Sequence, residues 1–337
     1  MGVHLLNDFS GSPLVFSNVI NGLRAQGIDC DLHTCGGREG FLSGLDVRYQ
    51  YFQYRFFPNP LLRLVALLWS QWLLFRNLRQ YRGQRVLIYN NTLLPFGAAL
   101  AGKWYGLPVV YHIHESSMKP ALLKWFLKTI ANRCSEQSIF VSNWLKETEQ
   151  LPAVPASVVY NGLSQSFCRK ADQYKAKRSS DRPFTCLLVG SLKVYKGVRE
   201  MVHLAKAAPE LHFEMVLNAQ QEAIDAFFAD MELPHNLNVH PTAKNIHPHY
   251  ANADVVLNLS HPTGWVETFG MTLLEGMYYG LPCIAPPVGG PVEVVENELN
   301  GYHCDPHDIE TLATKLRILA TNPPIYQRFS QNAFDTS

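Results

Sequence analysis

Val255-Val-Leu-Asn-Leu-Ser-His-Pro-Thr-Gly-Trp-Val-Glu267-Thr-Phe-Gly270-Met-Thr-Leu-Leu-Glu275-Gly-Met-Tyr-Tyr-Gly280-Leu-Pro-Cys-Ile-Ala285 is the stretch that decides the fold. Val255–Leu259 is an apolar run of strand length, the pattern of a strand buried on both faces. The loop Ser260–Val266 leads to Glu267. Helical periodicity then runs from Phe269 to Tyr279, and a second short strand follows at Pro282–Ala285. Strand, loop, helix and strand in this order make one unit of a parallel α/β sheet. The amides of Phe269, Gly270, Met271 and Thr272 open the helix without intrahelical acceptors, so they are free to face an anion. Gly270 admits close approach of a ligand to the backbone. Glu267 sits just before the helix, and Glu275 lies about 12 Å further along it at 1.5 Å per residue. One extended ligand can meet both carboxylates with an anionic centre between them.

The same alternation extends in both directions. Upstream, strands are predicted at Val3–Leu6, Ile28–Thr34, Val86–Tyr89, Val109–Ile113, Ser138–Val141 and Ser157–Tyr160, with a helix at Leu14–Gln26. Asn161–Asp181 is polar and aperiodic and reads as the entry to a second domain. Alternation resumes with strands at Phe184–Val189 and Phe213–Leu217. Helices are predicted at Val198–Ala207, Ala223–Met231 and Ile309–Ala320. The expectation is an α/β protein of two Rossmann-like domains, residues 1–163 and 164–337, facing across a ligand cleft at the carboxyl ends of their strands.

The 337 residues suffice for two cores, and 47% hydrophobic with 17% charged residues excludes a disordered chain. Net charge is +1, but residues 1–165 hold fifteen Lys/Arg against nine Asp/Glu, and the remainder fourteen against nineteen. The basic first half suits phosphate groups or an acidic membrane surface, and it equally fits an unevenly charged solvated face. Seven cysteines without a CxxC spacing read as reduced thiols of a cytoplasmic protein. Leu61–Phe75 is too short and too interrupted, by Arg63, Ser70 and Gln71, to span a bilayer. This segment and Lys119–Arg133 fit surface helices of a globular domain or basic amphipathic helices lying in a membrane interface.

Other segments carry candidate chemistry. Val189-Gly-Ser191-Leu-Lys193-Val-Tyr-Lys196-Gly197 follows a strand and opens a helix, and a lysine there can offset charge on a leaving group. Asn7-Asp-Phe-Ser-Gly11 is a strand–helix turn whose amides can face a phosphate or an acceptor. Val109-Val-Tyr-His112-Ile-His114-Glu115 ends a strand in imidazoles. His247 and His249 without a third ligand, and Asp29-Cys-Asp31 within a strand, are too weak to predict a metal. No GxGxxG and no P-loop occurs, and nothing points to nucleic acid.

The run Glu267-Thr-Phe-Gly270-Met-Thr-Leu-Leu-Glu275, with Gly280-Leu-Pro, Val288-Gly-Gly290-Pro-Val-Glu293 and Asn300-Gly301, resembles the signature of the family-four retaining glycosyltransferases of group 1, which have the GT-B fold. The resemblance implies transfer of a hexose from a nucleotide-diphosphate sugar, with retention and without metal or cofactor. The acceptor is expected to be a glycan or, from the basic first half and its two apolar–basic segments, a lipid-linked intermediate of bacterial surface polysaccharide synthesis. It implies that Glu267 contacts the donor sugar and Glu275 the ribose hydroxyls. Phe269, Gly270, Met271 and Thr272 would meet sugar and diphosphate, with Lys196 on the diphosphate and His114 near the reacting sugar. Ser191 stands where the family commonly has Arg, so the diphosphate clamp has one cation fewer unless Lys193 supplies it. Gly11 stands alone where relatives usually have paired glycines. The sequence stops at Gln331–Ser337, about where the family's final return helix would start. A GT-B nucleotide-sugar epimerase and a non-catalytic nucleotide-sugar binding protein are the alternative functions.

Overall fold

The computed structural model describes residues 1–37, 39–175 and 182–337. The chain divides into two compact units, Met1–Asn161 and Gly162–Ser337. In the first, β1 (Gly2–Val3), α1 (Gly11–Ala25), β2 (Asp31–Cys35), β3 (Arg48–Phe52) and α2 (Pro60–Asn77) lead to β4 (Ile88–Asn91). Then come α3 (Phe96–Tyr105), β5 (Val109–Ile113), α4 (Ala121–Cys134), β6 (Gln137–Phe140), α5 (Asn143–Thr148) and β7 (Ala156–Val158). The second unit runs α6 (Gln165–Lys175), β8 (Thr185–Ser191), α7 (Val198–Ala207), β9 (His212–Asn218), α8 (Gln221–Phe227) and β10 (Leu237–His240). It continues α9 (His247–Asn252), β11 (Val255–Leu257), α10 (Met271–Tyr278), β12 (Cys283–Ala285) and α11 (Pro291–Val294). β13 (Gly301–His303), α12 (Ile309–Thr321) and α13 (Pro323–Thr336) complete it.

Each unit is a parallel sheet interleaved with helices. The first sheet has the order β3-β2-β1-β4-β5-β6-β7 and the second β10-β9-β8-β11-β12-β13. Central strands read as apolar runs because helices cover both faces: all of β11 and β12 is buried. Helix α7 shows the complementary pattern, burying Val198, Met201, Val202 and Ala205 on one face. Sequence order reverses between β1 and β4 in the first sheet and between β8 and β11 in the second. At such a switch point the flanking loops diverge and leave a crevice at the carboxyl ends of the strands.

Several elements differ from expectation. Strands β3, β10 and β13 lie at or next to sheet edges and carry too little apolar alternation to be legible; β3 is Arg-Tyr-Gln-Tyr-Phe. The polar linker expected at 161–181 contains α6, which buries only Ala171 fully and docks through Phe167 onto His247; residues 176–181 lie outside the described residues. Gln331–Thr336 forms the end of α13. That helix buries Phe329 and Ala333, and Ser330 Oγ donates to the Gly280 carbonyl at 2.6 Å. Among the described residues no helix is long and apolar enough to cross a membrane. All seven cysteines are free.

Candidate functional site

Two loops meet at the β8/β11 switch point. The first runs from Ser191 to Gly197 and the second from Asn258 to Gly270. The amide of His261 donates to the Tyr195 carbonyl at 2.8 Å, and Tyr195 stacks on Trp265 with ring centroids 5.4 Å apart. Gly197 permits this approach: its φ is +74°, and a Cβ there would overlap the Leu259 carbonyl. The zipped loops bring Lys196 Nζ into an ion pair with Glu267 Oε2. The two residues are 71 positions apart in sequence.

Glu267 is held from behind by the Gly289-Gly290 turn. Its carbonyl accepts from the Gly290 amide at 2.9 Å. A Cβ on Gly289 would overlap that carbonyl, and one on Gly290 the Thr268 carbonyl. Burial alone would raise the Glu267 pKa, but the Lys196 ammonium, the Thr268 amide and the Asn258 side chain together pull it below its ordinary value. Burial likewise works against the Lys196 ammonium, and the Glu267 charge outweighs it and raises its pKa. The pair is therefore ionised at neutral pH.

The helix beyond starts later than expected. Gly270, with φ +111°, is the N-cap and α10 begins at Met271, so the Phe269 amide precedes the helix. The amides of Met271 and Thr272 belong to its first turn and have no acceptor within it. Glu275 lies further along α10 and accepts from the Tyr250 hydroxyl at 2.7 Å. Burial raises its pKa to about 7, partly offset by that hydrogen bond. Tyr250 is a site residue that sequence reasoning missed: it stands beside His249 in a segment read only for its histidines. Ser191 ends β8 and its carbonyl accepts from the Lys193 amide at 2.8 Å. Lys193 is exposed, and among the described residues it is Lys196 that makes the ion pair with Glu267.

The other unit has its own polar cluster at the β1/β4 switch point. His114 follows β5, and its Nε2 donates to Asn91 Oδ1 at 2.8 Å. Asn91 Nδ2 in turn donates to the Ser12 carbonyl at 3.1 Å, which ties β4 to the first turn of α1, where Gly11 lies. The His112 and His114 rings are 4.2 Å apart. Burial, with His112 and His4 adding repulsion, holds the His114 pKa well below its ordinary value, so the imidazole is neutral. Glu115 is pushed up to about 7 by burial, against hydrogen bonds from the His114, Glu115 and Leu93 amides and from Thr92. No atom crowds Gly11: a Cβ there would meet nothing within 4 Å.

The weak metal motifs resolve separately. Asp29 pairs with Arg24 at 2.8 Å, and Asp31 pairs with Arg48 and accepts from Tyr81. His247 Nδ1 meets the Tyr279 hydroxyl at 2.7 Å, whereas His249 Nδ1 meets Glu214 Oε2 at 3.1 Å. The two histidines serve different neighbours.

An ammonium, two carboxylates and helix-opening amides around one switch point can hold a ligand that is polyhydroxylated at its ends and anionic in its middle. Comparison with known proteins identifies the family. Residues 170–336 match the family described as glycosyl transferases group 1, and residues 9–167 match glycosyltransferase family 4. The chain is 25% identical over 201 residues to N-acetyl-alpha-D-glucosaminyl L-malate synthase of Bacillus anthracis, a match covering 56% of this chain and 51% of that protein. It is 37% identical over 73 residues to sucrose synthase of Nitrosomonas europaea, covering 20% of this chain and 9% of the synthase. The chain thus spans about half or less of the length of these curated relatives. The solved structure of Anabaena Alr3699/HepE in complex with UDP and glucose aligns with a TM-score of 0.76 at 20% identity, over 99% of this chain and 93% of that one. That likeness gives both sheets their place in the GT-B fold. Matched along both halves, the chain belongs to the family-four, group-1 glycosyltransferases.

Proposed function

We propose that the protein transfers a hexosyl group from a nucleoside-diphosphate sugar to a glycan or lipid-linked acceptor, with retention at the anomeric carbon, in bacterial surface polysaccharide synthesis. The observation that carries the donor reading is the Lys196–Glu267 ion pair beside the start of α10, with Glu275 on the same helix. Lys196 and the Met271 and Thr272 amides offset the diphosphate charge that grows as the glycosidic bond breaks, so that the chain's own groups do this without a metal. Glu267 accepts hydrogen bonds from sugar hydroxyls, and Glu275 from the ribose diol. The acceptor hydroxyl attacks the face from which the diphosphate leaves and gives its proton to a donor phosphate oxygen. His114, neutral, serves as a hydrogen-bond partner to the sugar rather than as a cation. The relative solved with UDP and glucose makes UDP-glucose the first donor to try.

On the acceptor side, the surface of the first unit favours work at the cytoplasmic face of an anionic membrane. Helix α2 exposes Leu61, Leu62, Val65, Leu68, Trp69 and Trp72. Neighbouring α3 and α4 add Trp104, Leu122 and Trp125. Arg76 lies over Trp72 at 5.0 Å and Arg63 over Phe56 at 4.4 Å, so cations rim the apolar face. Apolar side chains entering the headgroup region with arginines at its anionic rim is the interfacial mode of binding. A groove of about 850 Å³ between β3 and α2, lined by Tyr51, Tyr54, Phe57 and Trp69 among others, opens beside this face.

The test is an assay of activated sugars against membrane extract and purified lipid-linked glycans, with the anomeric configuration of the product read by NMR. Retained configuration in a glycoside supports the reading. A free epimeric sugar formed without acceptor, or donor binding with no turnover on any acceptor, would overturn it.

A further inference from the structure

A second constellation lies on the far strands of the same sheet. His212 and Glu214 alternate on one face of β9, and β10 pairs with it in the register Asn238 to Glu214 and His240 to Val216. His240 therefore shares that face, one step along the ladder from Glu214. Helix α9, which packs on neighbouring β8, brings His249 to Glu214, with Nδ1 to Oε2 at 3.1 Å. The His240 and His249 rings are 4.8 Å apart, and His212 Nε2 is 4.0 Å from Glu214 Oε1. Each of Glu214, His240 and His249 offers a ligand atom within 4.8 Å of the other two.

His240 Nε2 is shielded from solvent and has no hydrogen-bond partner. A shielded ring nitrogen without a partner is costly unless something satisfies it, and this ring lies beside Glu214 and the His249 imidazole. Ligands at about 2.0–2.2 Å from a tetrahedral ion stand roughly 3.4 Å apart. The His249–Glu214 separation is already in that range, and modest side-chain rotation brings in His240. Imidazole nitrogens with one carboxylate are the donor set of zinc and its borderline neighbours rather than of magnesium or calcium.

We propose that Glu214, His240 and His249 bind one divalent transition-metal ion of the zinc type, with His212 or a water as the fourth ligand. The ion replaces the proton shared by His249 and Glu214 and staples β9, β10 and α9 together. Its role is structural, and its reach extends to the donor site. The next residue in α9 is Tyr250, whose hydroxyl holds Glu275. Fixing α9 fixes that hydroxyl.

The measurement is metal uptake by the full chain, freed of metal with a chelator and carrying no affinity tag. Zn²⁺ is titrated calorimetrically, and Co²⁺ is followed by its visible absorption. One equivalent of each ion, Co²⁺ bands of a tetrahedral site and a rise in melting temperature with Zn²⁺ are expected. His240→Ala and Glu214→Gln should each lose that equivalent while melting, metal-free, as the metal-free wild type does. Glu214→Gln preserves shape and serves alone if His240→Ala fails to fold. Absence of uptake by the wild type, or equal uptake by Glu214→Gln, overturns the proposal. So does uptake abolished only by His261→Ala, which would place the ion in another group of converging ligands among the described residues, Glu200, His261 and His307.

Discussion

Lys196 and Glu267 satisfy each other, and in the proposed function the ammonium is shared with a diphosphate when donor binds. Lys196→Met should lower kcat by about 10²–10³-fold, the usual cost of losing one donor to a developing oxyanion. It should also raise the Glu267 pKa, because burial then acts without its largest counterweight. Steady-state kinetics across pH check both effects. Glu275 gives a stability prediction with a definite sign. Its folded pKa, about 7, is above the ordinary 4.5. Between those values the folded state binds more protons than the unfolded state, so this group's contribution to stability falls as pH rises through the window. In the absence of donor, Glu275→Gln should leave the melting temperature unchanged near pH 4 and raise it above pH 7. The gain is up to about 3 kcal/mol at 1.36 kcal/mol per unit, read from denaturation at a series of pH values. Glu267, Glu275 and Lys196 were legible as residues because each stands at a fixed offset in a motif. Their electrostatics were not, since Tyr250 and the burial around it come from another segment.

At the scale of elements, the site depends on glycines that let loops touch. Gly290 has ordinary helical dihedrals, but a Cβ there would overlap the Thr268 carbonyl. Gly290→Ala must therefore displace the Glu267–Phe269 loop or its own turn. A loss of about 1–3 kcal/mol is expected from such overpacking, with KM for the donor rising as Glu267 moves. A variant with wild-type melting temperature and wild-type KM would show that the turn does not position the loop. The central strands and α7 were readable from sequence because burial on both faces, or on one helical stripe, imposes a period. The edge strand β3 and helix α6 were not, for one physical reason: an element that buries little needs few apolar residues. The start of α10 moved from Phe269 to Met271 because Gly270, at φ +111°, cannot belong to the helix.

At the scale of the whole molecule, charge and apolar exposure are divided between the two units. The first carries the excess of Lys/Arg and the exposed tryptophans of α2, α3 and α4. Vesicles containing anionic lipid should therefore co-sediment with the protein more than neutral vesicles do, and salt should weaken the association. Trp69→Ser with Trp72→Ser should reduce binding to anionic vesicles without changing turnover of a water-soluble acceptor. Equal binding to neutral vesicles would remove the electrostatic part of the proposal. The second unit carries Lys196, Glu267 and Glu275, the groups proposed to hold the donor, and the most direct test addresses them. It is calorimetric titration of UDP, GDP, ADP and dTDP, and of their sugars, into the wild type, Lys196→Met and Glu275→Ala. One nucleotide class is expected to bind, and each substitution to weaken it by about tenfold or more, the worth of one charge-assisted contact. Binding of that nucleotide with unchanged affinity in both variants would contradict the proposed donor site.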